Sequence, residues 1–322
     1  MNKLMGINTG IIKSAAGVLA LALKAHSASG SESLIYLPPD RLQSLLFAVF
    51  SGYRRLQMMF REDAESVREQ VIAQSEALNS RIPVVTLDEV QQPDVALRTI
   101  DFVMKPYQER VTFLFFLQND SVVAIDLALT QMEYLLGLLL TTIQKTEDRQ
   151  FISLALREND FIPFYTVDFM PANGEGIKYN QFDVPAWKSA ALDDFYSLLI
   201  VQDNGDIPCG VIIKAVPGIE PSRVNAIGEL LLNNNSLLIP YRQQTMTFEY
   251  EKMDPAATVE ERESLLKAHI KHRQAKIDLS ARYSQSIARQ ASNRARKPGL
   301  SATRPHITFF RSHAPAKRFL RS

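Results

Sequence analysis

The eighteen residues SLIYLPPDRLQSLLFAVF (33–50) have a counterpart ninety positions later, VAIDLALTQMEYLLGLLL (123–140). Ile35 aligns with Ile125, Leu37 with Leu127, Leu42 with Met132, and Leu45-Leu46 with Leu135-Leu136. In both stretches an apolar run, ESLIYL or SVVAIDLAL, follows turn-forming residues (HSASGS, QND) and gives way to apolar residues at three- and four-residue spacing. That is the change from a strand period to a helix period. Asp40 with Gln43, and Thr130 with Glu133, have the form of a capping box, in which the first side chain accepts from a free helical N–H and the second reaches back. Both helices are expected to start there. Upstream of the turns stand VLALALKA (18–25) and VTFLFFL (111–117), so each copy reads as an antiparallel hairpin followed by a helix. VTFLFFL is apolar at both alternating sets of positions and is expected to be a central strand covered on both faces.

A third unit of this kind follows. FYSLLIVQ (195–202) and IPCGVIIKAV (207–216) flank Asp203-Asn204-Gly205-Asp206, whose Asn-Gly suits a tight hairpin turn. SRVNAIGELLL (222–232) then has helical spacing at Val224, Ile227, Leu230 and Leu231. Every hairpin has one apolar face to hide, and the unit's own helix is expected to cover it. Between the units, residues 60–80 read as a charged amphipathic helix continuing the first. Residues 146–160 read as a helix with Phe151, Leu154 and Leu156 on its apolar side. Residues 161–170 and 176–184 read as an extra hairpin, with a short helix carrying Trp187 after it.

From Asp254, placed as a cap with Pro255 at the first helical position, a long amphipathic helix is expected to about residue 290, acidic at its start and basic later, which suits the helix dipole. Residues 291–322 hold too few apolar groups to offset chain entropy and are expected to be a disordered basic tail. The fold class is therefore α+β: antiparallel sheets built from repeated hairpin-plus-helix units over 1–150 and 151–245, then the 254–290 helix and the tail.

Composition, 46% hydrophobic and 22% charged, is that of a globular chain, and its net charge of +1 conceals a segregation. Residues 267–322 hold fourteen of the 36 lysines and arginines but one of the 35 acids, Asp278, a net +13 that leaves −12 on residues 1–266. One cysteine, Cys209, excludes an internal disulfide and an all-cysteine zinc site, and its apolar surroundings, IPCGVIIKA, favour a small buried hydrophobe over a nucleophile. Lys3, Lys13, the apolar run 15–23 and AHSA (25–28) imitate a secretory signal, but Lys24 charges the end of the run, and the strand reading is preferred. No stretch reaches the ~18–20 apolar residues of a membrane span. A cytoplasmic setting is expected.

The local signatures of catalysis, GxxxxGK[ST], GxGxxG, HExxH, GxSxG and CxxC, are missing. Of the five histidines, His26 falls in an expected loop and the other four, His269, His272, His306 and His313, lie in the C-terminal region. His269 and His272 stand beside Lys267, Lys271 and Arg273 and read as a solvated basic face rather than a metal pair. Asp168, Glu175 and Lys178, around the 161–184 hairpin, resemble the acids and lysine of metal-dependent nucleases, where carboxylates hold Mg²⁺ and a lysine stabilises developing charge. The spacing is E-x-x-K where those enzymes use [DE]-x-K, which sends Glu175 and Lys178 to opposite faces of a strand. No cofactor and no metal site are indicated.

The basic C-terminal region carries the physical leverage. Lys271, Arg273, Arg289, Arg294, Arg296, Lys297, Arg311, Lys317 and Arg318 could neutralise phosphates without sequence preference. Phe309, Phe310 and Phe319 among them could stack on unpaired bases; the same mixture suits an anionic membrane surface or a protein partner.

GINTGII (6–12), LPPDRLQSLL (37–46) and FYSLLIVQDNGDIPCGVIIKAV (195–216), in this order and spacing, resemble the YjeJ-like family of enterobacterial proteins, over residues 6–245. The resemblance brings no activity and implies a bacterial, cytoplasmic setting. The reading that results is a non-enzymatic interaction or scaffold protein with an unidentified protein partner, touching nucleic acid through residues 267–322. Self-association through the 254–290 helix is a further option. The alternative is a metal-dependent hydrolase or nuclease using the carboxylates of the 161–184 hairpin.

Overall fold

Three consecutive strands, β1 (Leu4–Ser14), β2 (Gly17–Ser27) and β3 (Glu32–Leu37), form an antiparallel meander that leads into helix α1 (Pro39–Glu62), in a computed structural model describing residues 3–156, 160–170, 178–254 and 259–295. A second meander, β4 (Thr99–Pro106), β5 (Arg110–Leu117) and β6 (Val122–Ala128), leads through a 3-10 turn into α4 (Met132–Gln144). The chain is α+β, and all three of its sheets are antiparallel. The expected hairpins are present in both meanders, each extended by a strand, β1 or β4, that the sequence reading did not mark.

The registers of the two meanders correspond. Leu21 faces Leu37 and Val111 faces Leu127, ninety residues on in both strands. Ile11 faces Leu21 and Pro106 faces Val111. Two isolated parallel bridges join the sheets edge to edge, Tyr36 to Arg98 on one side and Lys3 to Asp126 on the other, and so connect the six strands into a ring. Inward-facing Leu21, Leu23, Ile35, Leu37, Phe113, Phe115, Ile125 and Leu127 meet Leu42, Leu45, Leu46 and Val49 of α1 and Leu135, Leu139 and Ile143 of α4 in one core.

The expectation that each helix covers its own hairpin is therefore corrected for the first two units. Helix α4 lies chiefly on β1, in the other meander, and α1 lies on β4 as much as on β2 and β3. Strand β5 is central, as expected, and its inward side is fully buried; on its outward side Thr112 is buried but Leu114 and Phe116 are half-buried. The expected capping boxes are also absent. Helix α1 starts at Pro39 with no side-chain cap, and Arg41 and Leu42 donate their N–H groups to the Pro38 carbonyl. At α4 it is Gln131, not Thr130 or Glu133, whose side-chain Oε1 accepts from the Ala128 N–H at 3.0 Å.

Residues 60–80 do not continue α1: the helix breaks at Asp63, whose side chain caps α2 (Ala64–Asn79) by accepting from Ser66 N–H. The following segment wraps the outer side of β1–β3. The Asn8 amide donates to Pro83 O, Tyr36 Oη donates to Glu89 O, and Lys24 Nζ lies 2.7 Å from Glu89 Oε1. Lys24 is buried at the end of the apolar run, and Glu89, itself held by a capping box with Thr86 at the start of α3 (Leu87–Gln91), supplies the charge it needs. In α5 (Arg149–Ala155), Phe151 and Ala155 face inward, whereas Leu154 and Leu156, expected on the apolar side, are exposed.

The third sheet has the order β11-β9-β10-β7-β8, from β7 (Phe161–Asp168), β8 (Lys178–Gln181), β9 (Asp194–Gln202), β10 (Cys209–Ala215) and β11 (Met246–Met253). Its β9–β10 hairpin and following helix α7 (Pro221–Asn234) are as expected; the extra hairpin joins the same sheet through β7, and β11 was not foreseen. One face packs on α7 through Leu198, Ile200, Val211, Ile213, Val224, Ile227 and Leu231. The other face, with Tyr165, Val167, Leu199, Val201 and Ile212, takes Leu266 from the start of α8 (Val259–Ala295). That helix runs five residues beyond the expected end at 290. Phe47 of α1, with Ile162 and Leu192, joins the two cores. The chain up to Ile270 is one compact unit; Lys271 begins a second, whose described part is the remainder of α8, with Ile277 and Leu279 exposed.

Close approach of α1 to α4 depends on Gly52, where an added Cβ would lie 2.8 Å from Met132 Sδ. Gly52→Ala is expected to destabilise by about 1–3 kcal/mol through overpacking, although alanine is otherwise the better helix former by about 1 kcal/mol. In a Met132→Ala background the same substitution becomes neutral or stabilising. Urea unfolding of the four variants checks the cycle.

Candidate functional site

Two of the three residues with nuclease-like chemistry are described. Cross-strand register places Lys178 directly opposite Asp168, and Glu175 falls outside the described residues. Asp168 is buried and occupied. Its Oδ1 accepts from Tyr241 Oη at 2.9 Å and from the Met170 N–H at 3.0 Å, and Tyr241 Oη also lies 3.0 Å from Met170 O. Cys209, its cross-strand neighbour on β10, is fully buried, and burial followed by the nearby Asp168 charge pushes the thiol well above its ordinary range. Such a thiol is protonated and unreactive. Burial and the Asp168 carboxylate raise Tyr241 as well. This is a polar tie between β7, β10 and the 3-10 turn Ser236–Tyr241, and it presents no free nucleophile or base. Among the described residues no group of three His, Cys, Asp or Glu side chains is placed to hold a metal ion.

His269 is a correction. It is not part of a solvated face but is 6% exposed, with Nδ1 2.5 Å from Ser197 Oγ on β9 and Nε2 3.7 Å from Glu251 Oε2 on β11, the cross-strand partner of Ser197. Serine, histidine and carboxylate are the residue types of an acyl-transfer triad, yet a nucleophile must be reachable, and Ser197 is 0% exposed beneath α8. The arrangement docks the first turns of α8 on the sheet, with Leu266 seated over Gly210, where a Cβ would meet its Cδ2 at 2.9 Å. The spacing Leu266, His269, Ile270 was a visible helical stripe; the neighbouring lysines hid it. Of the residues expected to meet nucleic acid, Lys271 is exposed and Arg273 half-exposed in the second unit. Arg289 and Arg294 lie on the described backbone of α8, while Arg296, Lys297, Arg311, Lys317 and Arg318 fall outside the described residues.

The sequence reading missed a cleft along α1. Arg54, Arg55 and Arg61 share it with the 106–108 turn, helix α6 (Ala186–Ala190) and residues 191–193 and 216–217. One lobe, about 430 Å³, is lined by Met104, Val111, Trp187, Ala190 and Ala191 together with Ser51 and Arg55. The other, about 600 Å³, shares Ser51, Arg55, Ala190 and Ala191 and adds Arg54, Gln57, Arg61 and Asp193. Trp187 is braced edge-on by Phe47 and Phe102, at centroid distances of 5.9 and 5.4 Å. Arg55 Nη2 donates to Tyr107 O and Gln108 O at 2.5 and 2.6 Å, while its Nη1 is buried without a hydrogen-bond partner. Burial lowers Arg55 from the usual arginine range, and burial lowers Arg54 despite the Asp160 and Asp193 charges. The three arginines in YRRLQMMFRE (53–62) were the available signal.

The body has three antiparallel sheets, a buried polar tie, a docked helix and an arginine-lined cleft, and its fold class is α+β. The chain belongs to the YjeJ-like family, whose model matches residues 1–277. It is 30% identical over 241 residues, 71% of this chain and 80% of the relative, to "Uncharacterized protein YjeJ" of Escherichia coli (strain K12). No solved structure matches the chain. No helix among the described residues is long and apolar enough to cross a membrane.

Replacing Tyr241 by Phe removes a donor from the buried Asp168 carboxylate and is expected to cost about 1–3 kcal/mol in denaturant unfolding. Cys209 in the unchanged protein should resist a thiol reagent under native conditions and react only on opening, faster in the Tyr241→Phe variant.

Proposed function

We infer that this chain is a bacterial, cytoplasmic interaction or scaffold protein, non-enzymatic, whose basic C-terminal region contacts nucleic acid without sequence preference. The observation that carries the reading is the charge segregation, +13 on residues 267–322 against −12 on the rest. A polyanion gains counterion-release free energy from the basic region and is repelled by the acidic body, which leaves the C-terminal region as the contact. Since Leu266, His269 and Ile270 belong to the body, the contacting region begins at Lys271. Exposed Ile277 and Leu279 on the same helix suit an unidentified protein partner or a second copy. The matching registers and symmetric bridges of the two meanders support their origin as an internal duplication.

Binding to mixed-sequence duplex DNA and to RNA, measured by anisotropy from 50 to 200 mM salt, tests the reading. If six or more phosphates are neutralised, affinity for duplex DNA falls by about a thousandfold over that range. A chain ending at Ile270 should retain the body's unfolding midpoint and lose the binding. Salt-insensitive binding, or binding kept by the shortened chain, removes the nucleic-acid assignment.

A further inference from the structure

Arg55 is held in an unusual way. A guanidinium has five donors and stays charged. Here Nη2 is fixed by two turn carbonyls, Nη1 is sealed from water with no acceptor, and no carboxylate pairs with Arg55 among the described residues. Arg54 and Arg61 likewise form no ion pair there; Arg54 reaches only the Ala191 carbonyl, at 3.5 Å. A buried donor on a cation normally finds an acceptor, because leaving it unmade forfeits most of its solvation. A buried Arg55 donor without an acceptor, with Arg54 and Arg61 beside it in no direct ion pair and an apolar wall next to them, describes a receptor for an anion.

The two lobes divide the chemistry. Met104, Val111 and Trp187 form an apolar end whose aromatic ring packs edge-on against Phe47 and Phe102. Arg55 stands at the junction, and Arg54 and Arg61 lie in the outer lobe, where Asp193 is the only lining carboxylate. Each lobe has the volume of a small-molecule site. We propose that the cleft between α1 and α6 binds a small anion carrying an apolar body, its carboxylate or phosphate head on the cleft-facing side of the Arg55 guanidinium and on Arg54, and its apolar part against Trp187, Met104 and Val111. The outer arginines set the preference for negative charge, and Ser51, common to both lobes, offers a hydroxyl at the junction. This site lies on the body and is independent of the nucleic-acid reading of the C-terminal region.

Trp187 is the only tryptophan in the chain, so its emission reports the cleft directly. Full-length protein titrated with octanoate and with phenyl phosphate should give a saturable change in Trp187 emission, with the tighter probe identifying the head group. Octanol and inorganic phosphate should each fail to saturate over the same range. Arg55→Met is expected to weaken the preferred probe by about ten- to hundredfold, the loss of a charge-assisted hydrogen bond in a dry site. Because Arg55 also steadies the 107–108 turn, Ala190→Leu serves as a second variant: it fills the shared wall, leaves Arg55 in place, and should abolish the response with the unfolding midpoint retained. Equal binding of octanol and octanoate overturns the anion part, full competition by inorganic phosphate overturns the apolar part, and no saturable response from either probe, or unchanged binding in both variants, overturns the site.

Discussion

The structure depends on a mismatch of widths. A three-stranded sheet is roughly 14 Å across, from a strand spacing of about 4.8 Å, whereas one helix covers about 10 Å. A single helix cannot dry the apolar face of the meander it follows. Turning the two faces toward each other and laying α1 and α4 across both lets the same apolar atoms serve two sheets, and the edge bridges at Tyr36–Arg98 and Lys3–Asp126 hold that arrangement. Once the sheets face one another, a helix following one necessarily lies near the other, which is why α4 meets β1 and α1 meets β4.

The length of α1 follows from this arrangement and shapes the cleft. Its first half supplies Leu42, Leu45, Leu46 and Val49 to the shared core, and Phe47 on a neighbouring face seals the join to the five-stranded sheet. Its second half carries Arg54, Arg55 and Arg61 past the core into the space left between the 106–108 turn and α6. Neither wall of that cleft is near the other in sequence. The cleft exists because one helix is common to two cores.

Polar groups inside the body serve as ties between elements distant in the chain. Asp168 and Tyr241 join β7 to the turn after α7, Ser197 and His269 hold the start of α8, and Lys24 with Glu89 clamps the wrapping segment over β1–β3. In each case a group costly to bury is matched by a specific partner, which favours one packing over neighbouring alternatives.

Periodicity and turn chemistry alone determined that residues 17–37, 111–128 and 194–215 are hairpins, that apolar helices follow each, and that charge is divided at the C-terminal end, since these depend on nearest neighbours or on simple sums. The edge strand β11, MTFEYEKM, escaped because its alternating charged residues suit a solvent-facing edge, and β1 because its glycine and polar positions lie under a wrapping segment. The caps were misplaced because Pro39 removes one of the free donors at the start of α1, while the 3-10 turn before α4 hands the task to Gln131. Which sheet a helix covers, that His269 is buried, and that Arg55 has an empty donor were decided only by tertiary structure, because each rests on atoms brought together from parts of the chain more than fifty residues apart.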